Sequence, residues 1–271
     1  MSTKDFQNKV KRNVAENFDQ SIQMYQEFEE KHDFFKDLTL KLAETIDIKA
    51  RASVLDVGCG YGISAKALNE KFGCSVTGVD LSHKMIAAGR LLCDEDDIRL
   101  FVGDGENLSH VVGNCSFDYV LYNASIFIFP DVSKTIAESY KCLRAGGKIA
   151  FSFYPQLVGE GNEDLFAVAF QRLGEPPPRF RVITDYSKAT EALSRYCINI
   201  CHHRWVRPLN IQFLQDFFSI PAQSASLFPG RGYEVRRDLV RNLFATLDPM
   251  AETGRIVWRM AEGLKSGSSL S

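Results

Sequence analysis

VLDVGCGYG, residues 54–62, decides the fold. VLDV reads as a buried strand carrying one acid, Asp56, and three glycines follow at alternate positions, Gly58, Gly60 and Gly62. Such a strand ends in a tight turn where backbone must come close to a small molecule. The next strand, CSVTGVD (74–80), closes on a second acid, Asp80, one helix and one strand further on. A glycine turn and two strand-end carboxylates describe a nucleoside site at the mouth of a parallel sheet.

Outward from this stretch, strands and helices alternate. VLDV is followed by a helix over 63–72, CSVTGVD by a helix over 82–92, then IRLFVGD (98–104) and FDYVLYN (117–123) as strands, a helix over 131–143, a turn at Gly146 and Gly147, and KIAFSFY (148–154) as a fifth strand. Short links and near-continuous apolar strands predict a parallel sheet covered on both faces. Upstream, Phe18, Ile22, Tyr25 and Phe28, then Phe34, Phe35, Leu38, Leu42 and Ile46, recur at helical steps. After Pro155 come a helix within 161–174, the non-helical EPPPRF (175–180), a capped helix over 184–196, a strand over 197–206, two helices in 209–247 separated by SIPAQSASLFPGRG, and a last strand over 254–263. The two late strands predict an antiparallel edge carrying a helical lid, and the tail SGSSLS reads as disordered. The expected architecture is α/β: a Rossmann-like, mostly parallel seven-stranded sheet with helices on both faces, an N-terminal helical cap and a helical insertion before the last strand. The boundaries are cap 1–50, core 51–207, insertion 208–250, and last strand with tail 251–271.

The glycine spacing discriminates between nucleotides. A dinucleotide turn needs a third glycine where this chain has Ile63, and it sets a pyrophosphate on a helix N-terminus. Asp56 would repel that pyrophosphate. It suits the ammonium of S-adenosylmethionine (SAM), which has no phosphate. Asp80 can accept from both ribose hydroxyls, with Leu81 beside it. The third strand ends in GDGEN (103–107): Asp104 is placed to accept from the adenine amino group, and Gly105 and Glu106 to offer backbone N–H groups to the ring. Met85 can cover the adenine face. Asn123, at the end of the fourth strand, borders the methionine moiety.

On these residues the chain resembles the class I SAM-dependent methyltransferases. VLDVGCGYG is similar to their first motif, GVDLS to the second, VGDGENL to the third, FDYVLYNASIFIFPD to the fourth and LRAGGKIAFSFY to the strand beyond. IVWRMAEGLK resembles the W-x-x-A-x-G-x-K ending of small-molecule members. NVAENFDQSIQMYQ is similar to the opening helix of quinone-ring and malonyl-carrier-protein methyltransferases, whose aromatic closes over the cofactor; the resemblance implies that role for Tyr25. The histidine that often follows the fourth strand in that subgroup is absent from SIFIFPD.

Methyl transfer from a sulfonium needs alignment and exclusion of water, and a base only where the nucleophile arrives protonated. Four side chains near strand ends are the candidates, Tyr122, Tyr154, His202 and His203, with His32 in the early helices. Cys201 and His203 can share a strand face, but without further ligands no metal site is expected. Cys59, inside the turn, reads as packing. The 20 phenylalanines include Phe127, Phe129, Phe213, Phe217, Phe218 and Phe228, any of which could line an acceptor pocket.

Net charge is -2, but residues 171–271 carry 14 Lys+Arg against 9 Asp+Glu; scattered solvated surface is the plainer reading of this excess, and a late segment facing an anionic acceptor the sharper one. The weakly acidic whole, and the lack of an Asn/Asp-Pro-Pro-aromatic element, argue against a nucleic-acid methyltransferase. No apolar run suits a membrane span, the N-terminus lacks a secretory h-region, and seven cysteines at non-metal spacings read as reduced thiols, so a cytoplasmic monomer or homodimer acting on a small molecule is expected. A nonenzymatic SAM sensor or partner subunit is the alternative.

Overall fold

A computed structural model describes residues 3–113, 116–179 and 181–267. Three helices lead in, α1 (Thr3–Asp19), α2 (Ile22–His32) and α3 (Phe34–Thr45). Then follow β1 (Ser53–Val57), α4 (Ile63–Phe72), β2 (Ser75–Asp80), α5 (His83–Leu92), β3 (Ile98–Val102), α6 (Leu108–Val112), β4 (Phe117–Tyr122), α7 (Val132–Cys142) and β5 (Leu143–Ser152). The late part adds β6 (Gln156–Val158), α8 (Leu165–Leu173), α9 (Tyr186–Ser194), β7 (Ile198–Pro208), α10 (Ile211–Ser219), α11 (Pro221–Leu227), α12 (Tyr233–Ala245) and β8 (Arg255–Leu264).

The sheet runs β3-β2-β1-β4-β5-β8-β6, with β7 on the free side of β8. β1 to β5 are parallel, and β8 is antiparallel to β5, β6 and β7. The carboxyl ends of all five parallel strands therefore open on one edge, where ligands bind in such sheets. β1 lies at the centre, Val54 opposite both Val76 and Tyr119, and Val54 to Val57 are buried throughout.

The helices begin where the sequence offers caps. Ser82, Asp131, Asp164, Asp185 and Asn210 each accept a backbone N–H of the first turn of α5, α7, α8, α9 and α10. The turn between α2 and α3 passes through Asp33 at φ 46°, and the buried Glu29 carboxylate accepts from the N–H groups of Phe35 and Lys36, both at 2.8 Å. The W-x-x-A-x-G-x-K ending is explained by packing. Trp258 is buried in the core, a Cβ at Gly263 would stand 2.6 Å from Cys197 on the neighbouring chain segment, and Lys265 Nζ donates to Tyr140 O in the last turn of α7 and to Leu143 O just beyond it.

Three expectations are corrected in detail. The sheet has eight strands rather than seven, because Gln156–Val158 adds a ladder of three residues to β8, too short to show alternation. The N-terminal region breaks at Asp19 into three helices rather than two. SIPAQSASLFPGRG holds α11 rather than a plain connection, with Pro221 at its first position, where a missing N–H costs nothing. The end of the tail, 268–271, lies outside the described residues. Among the described residues no helix is long and apolar enough to cross a membrane.

An aromatic cluster joins the early helices to the late ones and to β8. The Phe34 ring, fully buried, lies 4.8 Å from Trp258, 5.1 Å from Phe213 and 5.8 Å from Phe217. Phe34→Ala is expected to cost about 3–5 kcal/mol through lost transfer energy and a residual cavity. Urea unfolding would show it as a lower midpoint at unchanged slope; a cost under about 1 kcal/mol would mean that the cluster collapses to refill the space.

Candidate functional site

The strand ends fix a cavity of about 660 Å³ at the carboxyl edge, within the range of small-molecule sites. Its floor is the glycine turn after β1, Val79–Leu81 after β2, Gly103–Gly105 after β3, and Asn123–Ser125 after β4, with Tyr154 beyond β5. Its roof is α1 through Phe6, Val10, Val14 and Phe18, with Tyr25 of α2, Phe35 of α3, the 181–183 loop and α11.

The turn is stitched to β2. Gly58 and Cys59 both donate to Val79 O, at 2.7 and 3.2 Å, and Gly60 N donates to Asp80 Oδ2 at 2.9 Å. Ser82 N donates to the other Asp80 oxygen at 2.9 Å. Gly58, Gly60 and Gly62 all have positive φ, and a Cβ at Gly58 would meet that of Ser125 at 2.5 Å. Gly60 differs: where its Cβ would stand there is nothing within 4 Å, so bare backbone faces the cavity. Burial raises the Asp80 pKa, and the two N–H donors pull it partly back.

Asp56 lies beneath the turn, 1% exposed, and neither carboxylate oxygen has a hydrogen-bond partner. Burial, and secondarily the charge of Asp80, push its pKa up to about 7. An unpartnered buried carboxyl is expensive and marks a place that a cation or water would satisfy. Asp104 accepts from Glu106 N at 2.9 Å and from Lys11 Nζ at 2.8 Å. Glu106 accepts from the same ammonium at 2.5 Å and from Asp131 N at 3.0 Å. Asn123 is saturated: its amide N–H₂ donates to Thr39 Oγ1 at 2.6 Å and Ser64 Oγ at 3.1 Å, and its oxygen accepts from Ser152 at 2.9 Å. Tyr25 OH accepts from Gln223 Nε2 at 2.8 Å, and its ring stacks on Phe18 at 5.7 Å.

Residues 55–151, from β1 to the end of β5, match the methyltransferase domain family. This chain carries a methyltransferase domain. It is similar to phosphoethanolamine N-methyltransferase 2 of Caenorhabditis elegans, 34% identical over 127 residues, or 46% of this chain and 29% of that protein. It is also similar to malonyl-[acyl-carrier protein] O-methyltransferase of Priestia megaterium, 32% identical over 123 residues, or 45% and 44%. The chain thus matches less than half the length of either relative. The fold extends further: Haemonchus contortus phosphoethanolamine N-methyltransferase 2, solved with phosphomonomethylethanolamine and S-adenosylhomocysteine, superposes with a TM-score of 0.55 at 20% identity, covering 85% of this chain and 52% of that one. The matched segment spans the strands that carry the motifs read from the sequence.

Around the cavity the structure gathers Tyr25, Gly58, Gly60, Asp80, Leu81, Met85, Asp104, Gly105 and Asn123. Asp56 sits behind the turn, and the Glu106 side chain turns away to Lys11 and the start of α7. Of the candidate catalytic groups only Tyr154 lines the cavity. Tyr122 points to the opposite face of β4, where its hydroxyl bonds Thr135 and Ser139 of α7 in the core. His202 and His203 lie on the outer strand β7, bonded to Tyr186 and Glu262, and His32 is held by Asp216 at 2.9 Å. Among the described residues no group of three His, Cys, Asp or Glu is placed to hold a metal.

Phe127 and Phe129 line the cavity, whereas Phe213, Phe217, Phe218 and Phe228 fill the core. Of the cations that line it, Arg181 and Lys188 belong to the basic 171–271 segment and Lys11 to α1, whereas none of the arginines of the 208–250 insertion does. Arg181 follows the proline-rich stretch and Lys11 lies in a polar part of α1, so neither carried a periodic signal. Lys11 meets acids 93 and 95 residues away in sequence.

Asp56 makes stability depend on pH with a definite sign. Below its ordinary value of 3.8 both folded and unfolded states hold the proton; between 3.8 and about 7 only the folded state does. Its contribution therefore falls as pH rises through that window and is flat above it. Asp56→Asn is expected to flatten the stability curve of the ligand-free protein between pH 4 and 7, read as thermal midpoints across a buffer series. A slope identical to that of the parent would show that Asp56 ionises normally.

Proposed function

We propose that this chain transfers a methyl group from SAM to a small-molecule acceptor with a substantial apolar part. The observation that carries the reading is the pairing of bare backbone at Gly60 with the Asp80 carboxylate on the floor of a largely apolar cavity. The residues suit an adenosyl sulfonium. Each Asp80 oxygen takes one backbone N–H and keeps a lone pair for a ribose hydroxyl. The orphaned Asp56 carboxyl would be satisfied by an ammonium, directly or through water. Leu81 and Met85 offer apolar surface for adenine, and Asp104 with the Gly105–Glu106 backbone offers acceptor and donors to its edge. Tyr25, fixed by Gln223, would cover the reacting end.

When bound, the cofactor supplies a methyl group already activated by positive charge. The chain's part is alignment and exclusion of water, worth up to about 7–11 kcal/mol in well-oriented systems. In this reading residues 1–50 and 208–250 act as cap and lid over the 51–207 core, and 251–271 completes the sheet. The names of the relatives, an N-methyltransferase of phosphoethanolamine and an O-methyltransferase of a carrier-bound malonyl group, leave the nucleophile open.

Asp80→Ala is expected to weaken SAM binding by about 1.5–3 kcal/mol, the scale of hydrogen bonds to a charged group. Isothermal titration of SAM into both proteins measures it, and an unchanged Kd would place the ribose elsewhere. Isotopic methyl transfer into fractionated metabolites then separates an enzyme from a sensor that binds without turnover.

A further inference from the structure

The cavity is charged differently at its two ends. Asp80 and Asp104 close β2 and β3, whereas Tyr154 follows β5, and β1 and β4 lie between. Three strand spacings separate β2 from β5, about 14 Å at roughly 4.8 Å each. At the β5 end Arg181 is close enough to Tyr154 for its charge to favour the phenolate, and Lys188, also on the cavity wall, is paired with Asp185 at 3.5 Å. Lys11, at the acidic end, is already spent on Asp104 and Glu106.

Arg181 is incompletely used. Its guanidinium lies over the Phe166 ring at 4.4 Å, which fixes its plane, and one nitrogen reaches Asp164 at 3.3 Å. Asp164 is half-exposed and spends its other oxygen capping α8, so the pair is weak. Five N–H donors in a rigid fork leave several for a ligand. Tyr154 is the second unspent group. Its hydroxyl is buried without a hydrogen-bond partner, and Ser226 lies alongside outside bonding geometry, its own proton given to Gln223 O at 2.7 Å. Burial pushes the phenol up to about 12, so it stays a donor at neutral pH. Phe127 packs edge-on against the Tyr154 ring at 5.4 Å and, with Ile183, adds apolar wall.

Among the described residues lining the cavity there is no histidine, and the only carboxylates stand at the far end. A nucleophile needing deprotonation would find no base beside it. We propose that the β5 end of the cavity is the acceptor subsite, and that it takes an apolar carboxylic acid as its anion, with the Arg181 fork and the Tyr154 hydroxyl as the donors that hold the carboxylate. This rests on the methyl-transfer reading and names the acceptor class for it. The balance is simple. A carboxylate lone pair forms the new O–CH₃ bond while the S–CH₃ bond of the sulfonium donor breaks, its pair going to sulfur; both charges vanish and no proton has to leave. A cationic amine would meet Arg181 as a like charge and would have to lose a proton with nothing nearby to take it.

The probes are 1-naphthoate and 1-naphthylmethylamine, titrated calorimetrically into ligand-free protein and into protein loaded with S-adenosylhomocysteine. Wild type is expected to bind the acid at least tenfold tighter than the amine. Arg181→Gln should lose about tenfold for the acid and Tyr154→Phe about fivefold, with S-adenosylhomocysteine affinity within twofold of wild type in both. Absence of naphthoate binding by wild type, equal or tighter binding of the amine, or undiminished naphthoate binding by Arg181→Gln would overturn the proposal. The wild-type comparison holds even if a variant fails to fold. Naphthoate binding by a protein that ignores S-adenosylhomocysteine would strike the donor reading and leave the acid subsite standing.

Discussion

The turn after β1 is the constraint on which the site depends. Its backbone is tied on one side to β2, through Val79 O and the Asp80 carboxylate, and pressed on the other by Ser125, whose hydroxyl donates to Val57 O at 2.6 Å. Residues without a Cβ are required because the turn runs at positive φ and Ser125 leaves no room beside Gly58. Three strand ends, β1, β2 and β4, are thereby tied together. Asp80 is thereby both a structural acceptor and the side chain best placed to take a ligand hydroxyl.

The roof is held by different physics. α1 to α3 and α10 to α12 are far apart in sequence, and aromatic contacts join them: Phe28 to Phe213 and Phe217 at 5.4 Å each, and Phe34 to Trp258. Polar ties supplement them: Asp216 of α10 accepts from Lys31 at 2.6 Å and is bonded to His32 at 2.9 Å, away from the cavity, and others lie at its rim. Asp19 accepts from the Ser82 hydroxyl and from Lys84 N, Ser21 Oγ accepts from Ala222 N at 3.0 Å, and Gln223 holds Tyr25. The floor is thus set by backbone hydrogen bonds within a sheet, and the roof by ring packing between segments about 200 residues apart. Insertions of this kind vary the acceptor end while the floor stays fixed, because the floor's geometry follows from strand ends alone.

Charge completes the division of labour. Lys11 bridges Asp104 and Glu106 at the β3 end and offsets one of their two charges, while Asp80 and the orphaned Asp56 have no cationic partner under the centre. Arg181 stands at the β5 end with only a half-exposed partner. In the proposed reading, a cavity with acid at one end and a guanidinium at the other would sort a cationic donor from an anionic acceptor before any contact is optimised.

The order of strands and helices was legible in the chain because each element repeats its apolar residues with its own period, and glycines and caps mark the breaks. Asp56, Gly58, Gly60, Asp80 and Asp104 were legible as site candidates for the same reason: each sits at a strand end, and parallel strand ends share an edge. What only the tertiary structure decided was direction and partnership over distance. Tyr122 and Asn123 are neighbours, yet the pleat sends one into the α7 layer and the other toward the cavity. Four candidate bases looked alike in sequence, and only Tyr154 faces the cleft, because β7 carries its histidines on the outside of β8. Arg181 and Lys11 lie in segments whose local pattern says nothing of a site, and they reach it only through the packing of loop and helix over strand ends encoded elsewhere.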